Sequence, residues 1–384
     1  MNPSSCSPLT AAAARPVIAP ARGFSLVELM VAMAIGLILM TILATVFANS
    51  SRSQKEITMS AQQVENGRYS IELLSDDLRH AGYYGYYVPA GSPPGTLPDP
   101  CDSSLTVANV KTHLILPVQG YDSPGSTPLS SCINAANFVA GTDVLVVRRA
   151  SSTYACDPTV HAEDTAKGQA GMALVAARLY IQTLPSTTNT FNPIVALGSP
   201  SSAFTNFTDL PKVRGLLAGT PDFCDTNVVP SPIRQLVTHI YYVSPCSNRA
   251  NGSTCASSDD GGSPIPTLYR MELRSGTYIT SSDNYPLVEG VENFQVEYGL
   301  DSDADGSPNS AYVTDPGATT NWRNLMAVRM YVLARNTQVS PGYLDTKTYN
   351  LGGTVPPIAN DGYRRHVYDT LVRLKNPSER KETP

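Results

Sequence analysis

The sequence predicts an α+β protein: one long N-terminal α-helix packed on an antiparallel β-sheet domain with long disulfide-bonded loops. Three observations lead there. No proline interrupts the chain between Phe24 and Tyr87, and proline is the residue a helix interior tolerates least. Downstream, short runs alternate apolar and polar residues with period two, the mark of a sheet with one buried face. Six cysteines lie in the loop-rich remainder, the usage expected of an oxidising compartment.

Only 15% of the 384 residues are charged and the net charge is −5. That balance excludes a nucleic-acid-coating role, which needs concentrated positive charge to displace counterions. With 31 Pro and 27 Gly, the soluble surface rests on Ser, Thr and Asn in long connections. A single segment is apolar enough to cross a bilayer, so a multi-span membrane protein is excluded too.

That segment is FSLVELMVAMAIGLILMTILATVF, Phe24 to Phe47. At 1.5 Å rise per residue it spans a hydrocarbon core of about 30 Å with some tilt. It is longer than a secretory signal's apolar stretch, and no small-residue cleavage site follows it. A plain anchor leaves Glu28 unexplained, because a lone carboxylate in hydrocarbon is costly and marks function by default. Arg15 and Arg22 precede the segment while Arg52 and Lys55 follow it, so charge counting does not orient it. Beyond it Ile57, Ala61, Val64, Ile71, Leu74, Leu78 and Ala81 form a helical stripe expected to press on the globular domain. Gly82, just past Arg79 and His80, suits a helix C-cap. One helix is therefore expected over 24–81, with 24–47 in a membrane or filament core.

The stretch GFSLVELMVAMAIG, Gly23 to Gly36, resembles the class III signal of type IV pilins and the pseudopilins of type II secretion. The resemblance implies a leader over 1–23, cleavage by a prepilin peptidase between Gly23 and Phe24, and N-methylation of Phe24. It also implies that Glu28 sets assembly register by meeting the freed ammonium of a neighbouring subunit's Phe24, two costly charges becoming one pair. DDLRHAGYYGYY, Asp76 to Tyr87, resembles the stretch after the first helix in the PilW family of minor pilins. TLVRLKN, Thr370 to Asn376, is similar to the last strand of pseudopilin-like proteins, and the rest reads as a short charged tail.

Residues 82–384 are expected to form the β-rich domain. Loops are expected over 89–131, 183–232 and 245–267. Strands are expected at Val144–Arg149, Ala173–Gln182, Leu236–Val243, Tyr269–Arg274, Phe294–Tyr298, Met326–Arg335 and Tyr368–Lys375. Apart from Cys6 in the leader, the cysteines are Cys101, Cys132, Cys156, Cys224, Cys246 and Cys255. Their spacing matches no zinc signature. Fifteen disulfide connectivities are open to six cysteines, of which neighbour pairing (101–132, 156–224, 246–255) is the simplest.

Asp301, Asp303 and Asp305, followed by Gly306, have the carboxylate spacing of a calcium loop. Tyr312 stands where a bidentate glutamate would complete it, so the alternative is a solvated turn. Asp259-Asp260-Gly261-Gly262 is expected to be a flexible turn. No nucleophile, phosphate-loop or metalloprotease motif appears. His80, His113, His161, His239 and His366 are scattered, and Asp143 and Asp225 stand alone. His239, in a strand-like run, reads as a satisfied core or surface histidine. No enzyme activity and no required cofactor are expected, with Ca2+ the one ion considered.

The resemblance implies a minor pilin acting in priming of assembly and in the tip complex, in twitching motility and adhesion. Its partners would be other minor pilins, the major pilin, the prepilin peptidase, a tip adhesin and the membrane, with no nucleic acid. It would sit in the inner membrane with its domain in the periplasm, and on the pilus after assembly. The alternatives are a type II secretion pseudopilin, a calcium-dependent tip adhesive or ligand-binding module, and a membrane-tethered periplasmic enzyme.

Overall fold

A computed structural model describes residues 23, 25–85, 87–102, 107–156, 172–173, 178–182, 194–196, 233–273, 284–309 and 311–382. They fall into two units, one ending at Ile57 and one from Thr58 onward. Helix α1 runs Leu26–His80, 55 residues, with Arg79 and His80 in its last turn. Gly82 follows with φ +74°, the left-handed conformation in which glycine ends helices without strain.

In the second unit a small sheet has the order β11 (Arg365–Arg373), β10 (Leu325–Arg335), β9 (Val291–Leu300). Every pair in it is antiparallel. The larger sheet runs β1 (Val118–Tyr121), β2 (Val144–Cys156), β6 (Ile233–Ser244), β4 (Leu179–Gln182), β5 (Ile194–Ala196). Two-residue β3 (Met172–Ala173) pairs with β2 in parallel. One side of β6 meets β2, and the other is shared by β4 and β7 (Thr267–Glu272), to which β8 (Asn284–Glu289) adds. Leu74 and Leu78 of α1, with Ala81 just past its end, enter one core with Phe294, Trp322, Val328 and Met330. Trp322, on the short helix α3 (Thr319–Arg323), is a core residue, its ring edge-on to Tyr298 with centroids 4.7 Å apart.

The buried face of α1 differs from the apolar stripe. Leu74 and Leu78 are fully buried, but Ile57, Ala61 and Val64 are exposed. The buried positions above Leu74 are Met59, Gln63, Gly67 and Ser70. Here the helix meets carbonyls at strand ends rather than a hydrocarbon face. Gln63 Nε2 donates to Ala334 O and to Arg364 O, each at 2.8 Å, and Asn66 Nδ2 donates to Glu289 O at 3.0 Å. Buried carbonyls need donors, so amides occupy these positions. Gly67 sits against the Tyr368 ring, which occupies the space a Cβ would need.

The C-terminal residues form a helix, α4 (Lys375–Glu382), and not a free tail. Asn376 Nδ2 donates to Ala81 O at 3.1 Å and Arg380 Nη2 to Gly82 O at 2.6 Å. These carbonyls lie just past the end of α1, where orphan acceptors and the negative end of the helix dipole favour a cation. Two further elements arise inside 89–131, expected to be loop: α2 (Val107–Leu114) and β1. The long connection 336–364 is tied to Arg365, which donates to Glu292, Asp345 and Asp361.

Helix propensity favours Gly67→Ala by about 1 kcal/mol, yet the contact with Tyr368 opposes it with an overpacking cost of about 1–3 kcal/mol. The substitution is therefore expected to destabilise the domain in urea unfolding. Pairing it with Tyr368→Ala is expected to remove the penalty specific to position 67, and additive losses in the double variant contradict the steric account.

Candidate functional site

At the N-terminus Gly23 is described and Phe24 lies outside the described residues. Ser25 N donates to Glu28 Oε2 at 3.0 Å, and Glu28 N donates to Ser25 Oγ at 3.2 Å. This reciprocal pair is a capping box, which satisfies two amides the first turn leaves without partners. Glu28 thus has a local role that the reading of it as an assembly residue did not include, although the S-x-x-E spacing signals it. The large apolar side chains from Leu26 to Phe47 are exposed. Thr41 Oγ1 donates to Leu37 O and Ile38 O, and Thr45 Oγ1 to Ile42 O. Both hydroxyls are satisfied within the helix, as an apolar surround demands. Among the described residues this is the one helix long and apolar enough to cross a membrane.

A second constellation fixes the far end of α1. Asp77, 4% exposed, accepts from Arg149 Nε at 2.6 Å on one oxygen. Its other oxygen accepts from His239 Nδ1 and from Tyr241 Oη, both at 2.8 Å. Both partner strands, β2 and β6, belong to the larger sheet. Burial alone would raise the Asp77 carboxyl, but His239 and Arg149 outweigh it and hold the group well below the usual carboxylate range. His239 is a core histidine, 5% exposed, and its Nδ1 must carry a proton to donate. An aspartate–histidine pair orients a base in hydrolases. Here the tyrosine shares the same carboxylate oxygen and the group is buried, so the three side chains tie the end of α1 to the sheet. The following turn continues the anchor: Gly82 N donates to Arg148 O at 2.9 Å, and Ala150 N to Tyr83 O at 2.6 Å.

Asp143 does not stand alone as its sequence position suggests. It joins the two sheets, accepting from Ser123 N and from Val296 N at 2.7 Å, while its own amide donates to Phe294 O at 2.8 Å. Burial raises its carboxyl to about 7, against the lowering effect of these hydrogen bonds. Asp225 lies outside the described residues.

Cys101 is bonded to Cys132 and Cys246 to Cys255, with Cα atoms 5.8 and 5.7 Å apart. Cys224 and the side chain of Cys156 lie outside the described residues. The turn at Asp259 and Asp260 is an organising knot rather than a flexible turn. Asp259 accepts from Ala250 N and Ala256 N, and Asp260 from Ser247, Asn248 and Ile265 N. Oxygens of Asp301, Asp303 and Asp305 lie within 4.8 Å of one another. Asp301, however, is buried, accepting from Ala304 N at 2.7 Å, Gly306 N at 3.0 Å and Lys381 Nζ at 3.1 Å. The ammonium from α4 thus takes one of the carboxylate positions a calcium ion would require.

Residues 240–376 match the family model described as Type IV Pilus-assembly protein W, and residues 19–44 match the Prokaryotic N-terminal methylation motif. Among solved structures, the Type IV-like pilin TTHA1219 from Thermus thermophilus is similar at 16% identity. That match covers 42% of this chain and 74% of the other with a TM-score of 0.23. None of the curated proteins matches. The long apolar-to-amphipathic helix and the antiparallel sheets fit an α+β pilin-like fold, and residues 19–44 carry the methylation motif. Over residues 240–376, about a third of its length, the chain resembles the PilW family.

Asp77 and Asp143 pull stability in opposite directions with pH. The Asp77 contribution is present above the unfolded value of about 3.9 and is lost as the pH falls below it. The Asp143 contribution is present below about 4 and is lost as the pH rises through about 7. Maximum stability is therefore expected at mildly acidic pH. Asp77→Asn is expected to cost about 3–5 kcal/mol at pH 7 and to weaken the acid limb. Asp143→Asn is expected to flatten the limb between about pH 4 and about 7. Urea unfolding across pH 3–9 measures both, and a variant whose profile parallels the parent is evidence against the corresponding assignment.

Proposed function

We propose that this chain is a minor pilin of the type IV pilus that primes assembly and enters the tip complex, serving twitching motility and adhesion. It is inserted in the inner membrane with its β-rich domain in the periplasm and its leader, 1–23, cytoplasmic. The prepilin peptidase cleaves between Gly23 and Phe24 and methylates Phe24. The mature helix then packs beside other minor pilins and the major pilin, with a tip adhesin as a further partner. One observation carries this reading: an exposed apolar helix bears a single carboxylate near its start, inside a sequence matching the methylation motif. Glu28 then passes from its capping contact with Ser25 to the charged amino end of a neighbouring subunit. The match to a pilus-assembly family favours a pilus over a type II secretion pseudopilin.

The two roles of Glu28 separate in Glu28→Gln. Glutamine keeps the capping box but removes the charge. Cleavage to a chain starting at Phe24 and helix content are expected to be unchanged, while the amount recovered in sheared pili drops about tenfold, as loss of about 1.4 kcal/mol implies. Pili containing the variant at the parental level rule out the charge pair.

Calcium at Asp301, Asp303 and Asp305 is a second reading, favoured by the proximity of their oxygens. It requires Lys381 to withdraw. Calcium is then expected to raise the melting temperature more in Lys381→Ala than in the parent, and insensitivity of both removes the metal reading.

A further inference from the structure

Arg148 sits in β2 at 1% exposure, yet among the described residues the groups its guanidinium donates to are neutral. Nη1 donates to Leu116 O at 2.9 Å and Nη2 to Gln119 Oε1 at 2.7 Å. Several other arginines meet acids: Arg149 meets Asp77, Arg178 meets Glu272, and Arg365 meets Glu292, Asp345 and Asp361; buried Arg335 instead donates to Pro264 O and lies over the Tyr363 ring. The ionisable groups that bear on Arg148 are Tyr84 and Tyr121, phenols that burial keeps protonated at neutral pH. Burial lowers the guanidinium only to about 10, so it remains a cation. A buried charge without a counter-charge is among the costliest features a fold can carry.

Beside Arg148 lies a cavity of about 20 Å³, lined by His113 of α2, Thr238 of β6 and the apolar Val110, Leu114, Leu179 and Leu236. A space of roughly 10–15 Å³ on this measure admits one water, so this one takes a single atom-sized guest and excludes sulfate or phosphate. Burial, with Arg148 beside it, lowers His113 to about 4 against the opposing pull of Asp102 and Asp99. Its ring is therefore neutral and offers one N–H donor.

We propose that this cavity binds one small monovalent anion of chloride size, with the Arg148 guanidinium as counter-ion and His113 lining the site. The anion supplies the missing charge at the strand residue whose carbonyl receives Gly82 N, so it tightens the junction between the end of α1 and the larger sheet.

The test uses the full chain in detergent. Thermal unfolding in sodium chloride or bromide is compared with sodium gluconate at equal ionic strength, and crystals soaked in bromide are measured at the bromine absorption edge. The melting temperature is expected to rise saturably with halide but not with gluconate, which is too large for the cavity. An anomalous peak is expected within hydrogen-bond reach of Arg148. Arg148→Met is expected to lose the halide dependence; should it not fold, His113→Leu is expected to weaken it, and the parent's bromide peak alone decides. A water or a side-chain carboxylate at that position with no bromide peak overturns the proposal, as does identical melting in halide and gluconate.

Discussion

A single buried carboxylate, Asp77, holds the last turn of α1 against the larger sheet. Its two oxygens take one guanidinium, one imidazole and one phenol from two strands. Removing an ion from water costs several kcal/mol even after relaxation, and the three donors on Asp77 offset that cost. Those three bonds fix the rotation of the helix about its axis and its height on the strands. An apolar contact of equal area leaves both freer, since hydrophobic burial has no direction.

The same logic recurs wherever polar groups enter the interior. Gln63 and Asn66 reach carbonyls at strand ends, Asn376 and Arg380 close the carbonyls beyond α1, and Lys381 plugs the Asp301 turn. Asp259 and Asp260 gather five backbone amides into one loop beside the Cys246–Cys255 bond. A chain with few charges and many prolines and glycines gains little from surface ion pairs, which are worth about 0–1 kcal/mol in any case. Its long loops are instead ordered by directional hydrogen bonds to buried acids, with covalent cross-links shortening the unfolded excursions.

The two ends of α1 obey different solvents. Near the start, side chains are apolar and both threonine hydroxyls turn back onto the helix, while Glu28 closes the first turn. Toward the other end, glutamine, glycine, serine and aspartate face the protein. One secondary structure thus serves both, because an α-helix satisfies its own backbone whatever surrounds it.

From sequence alone came the long helix, its apolar first half, the N-terminal methylation motif, the core of most strands and two of the cysteine pairings. These depend on periodicity, on proline avoidance and on motifs read along the chain. Tertiary structure decided which face of α1 is buried: Ile57, Ala61 and Val64 carry the apolar signal, but Gln63, Gly67 and Ser70 meet the sheet. It also drew Asp77, Arg149, His239 and Tyr241 together and turned the charged tail into a helix that caps α1. Those contacts join residues from 72 to 298 positions apart. Local propensity carries no record of such distances, because the partner of a buried charge is chosen by how the strands stack and not by its neighbours in the chain.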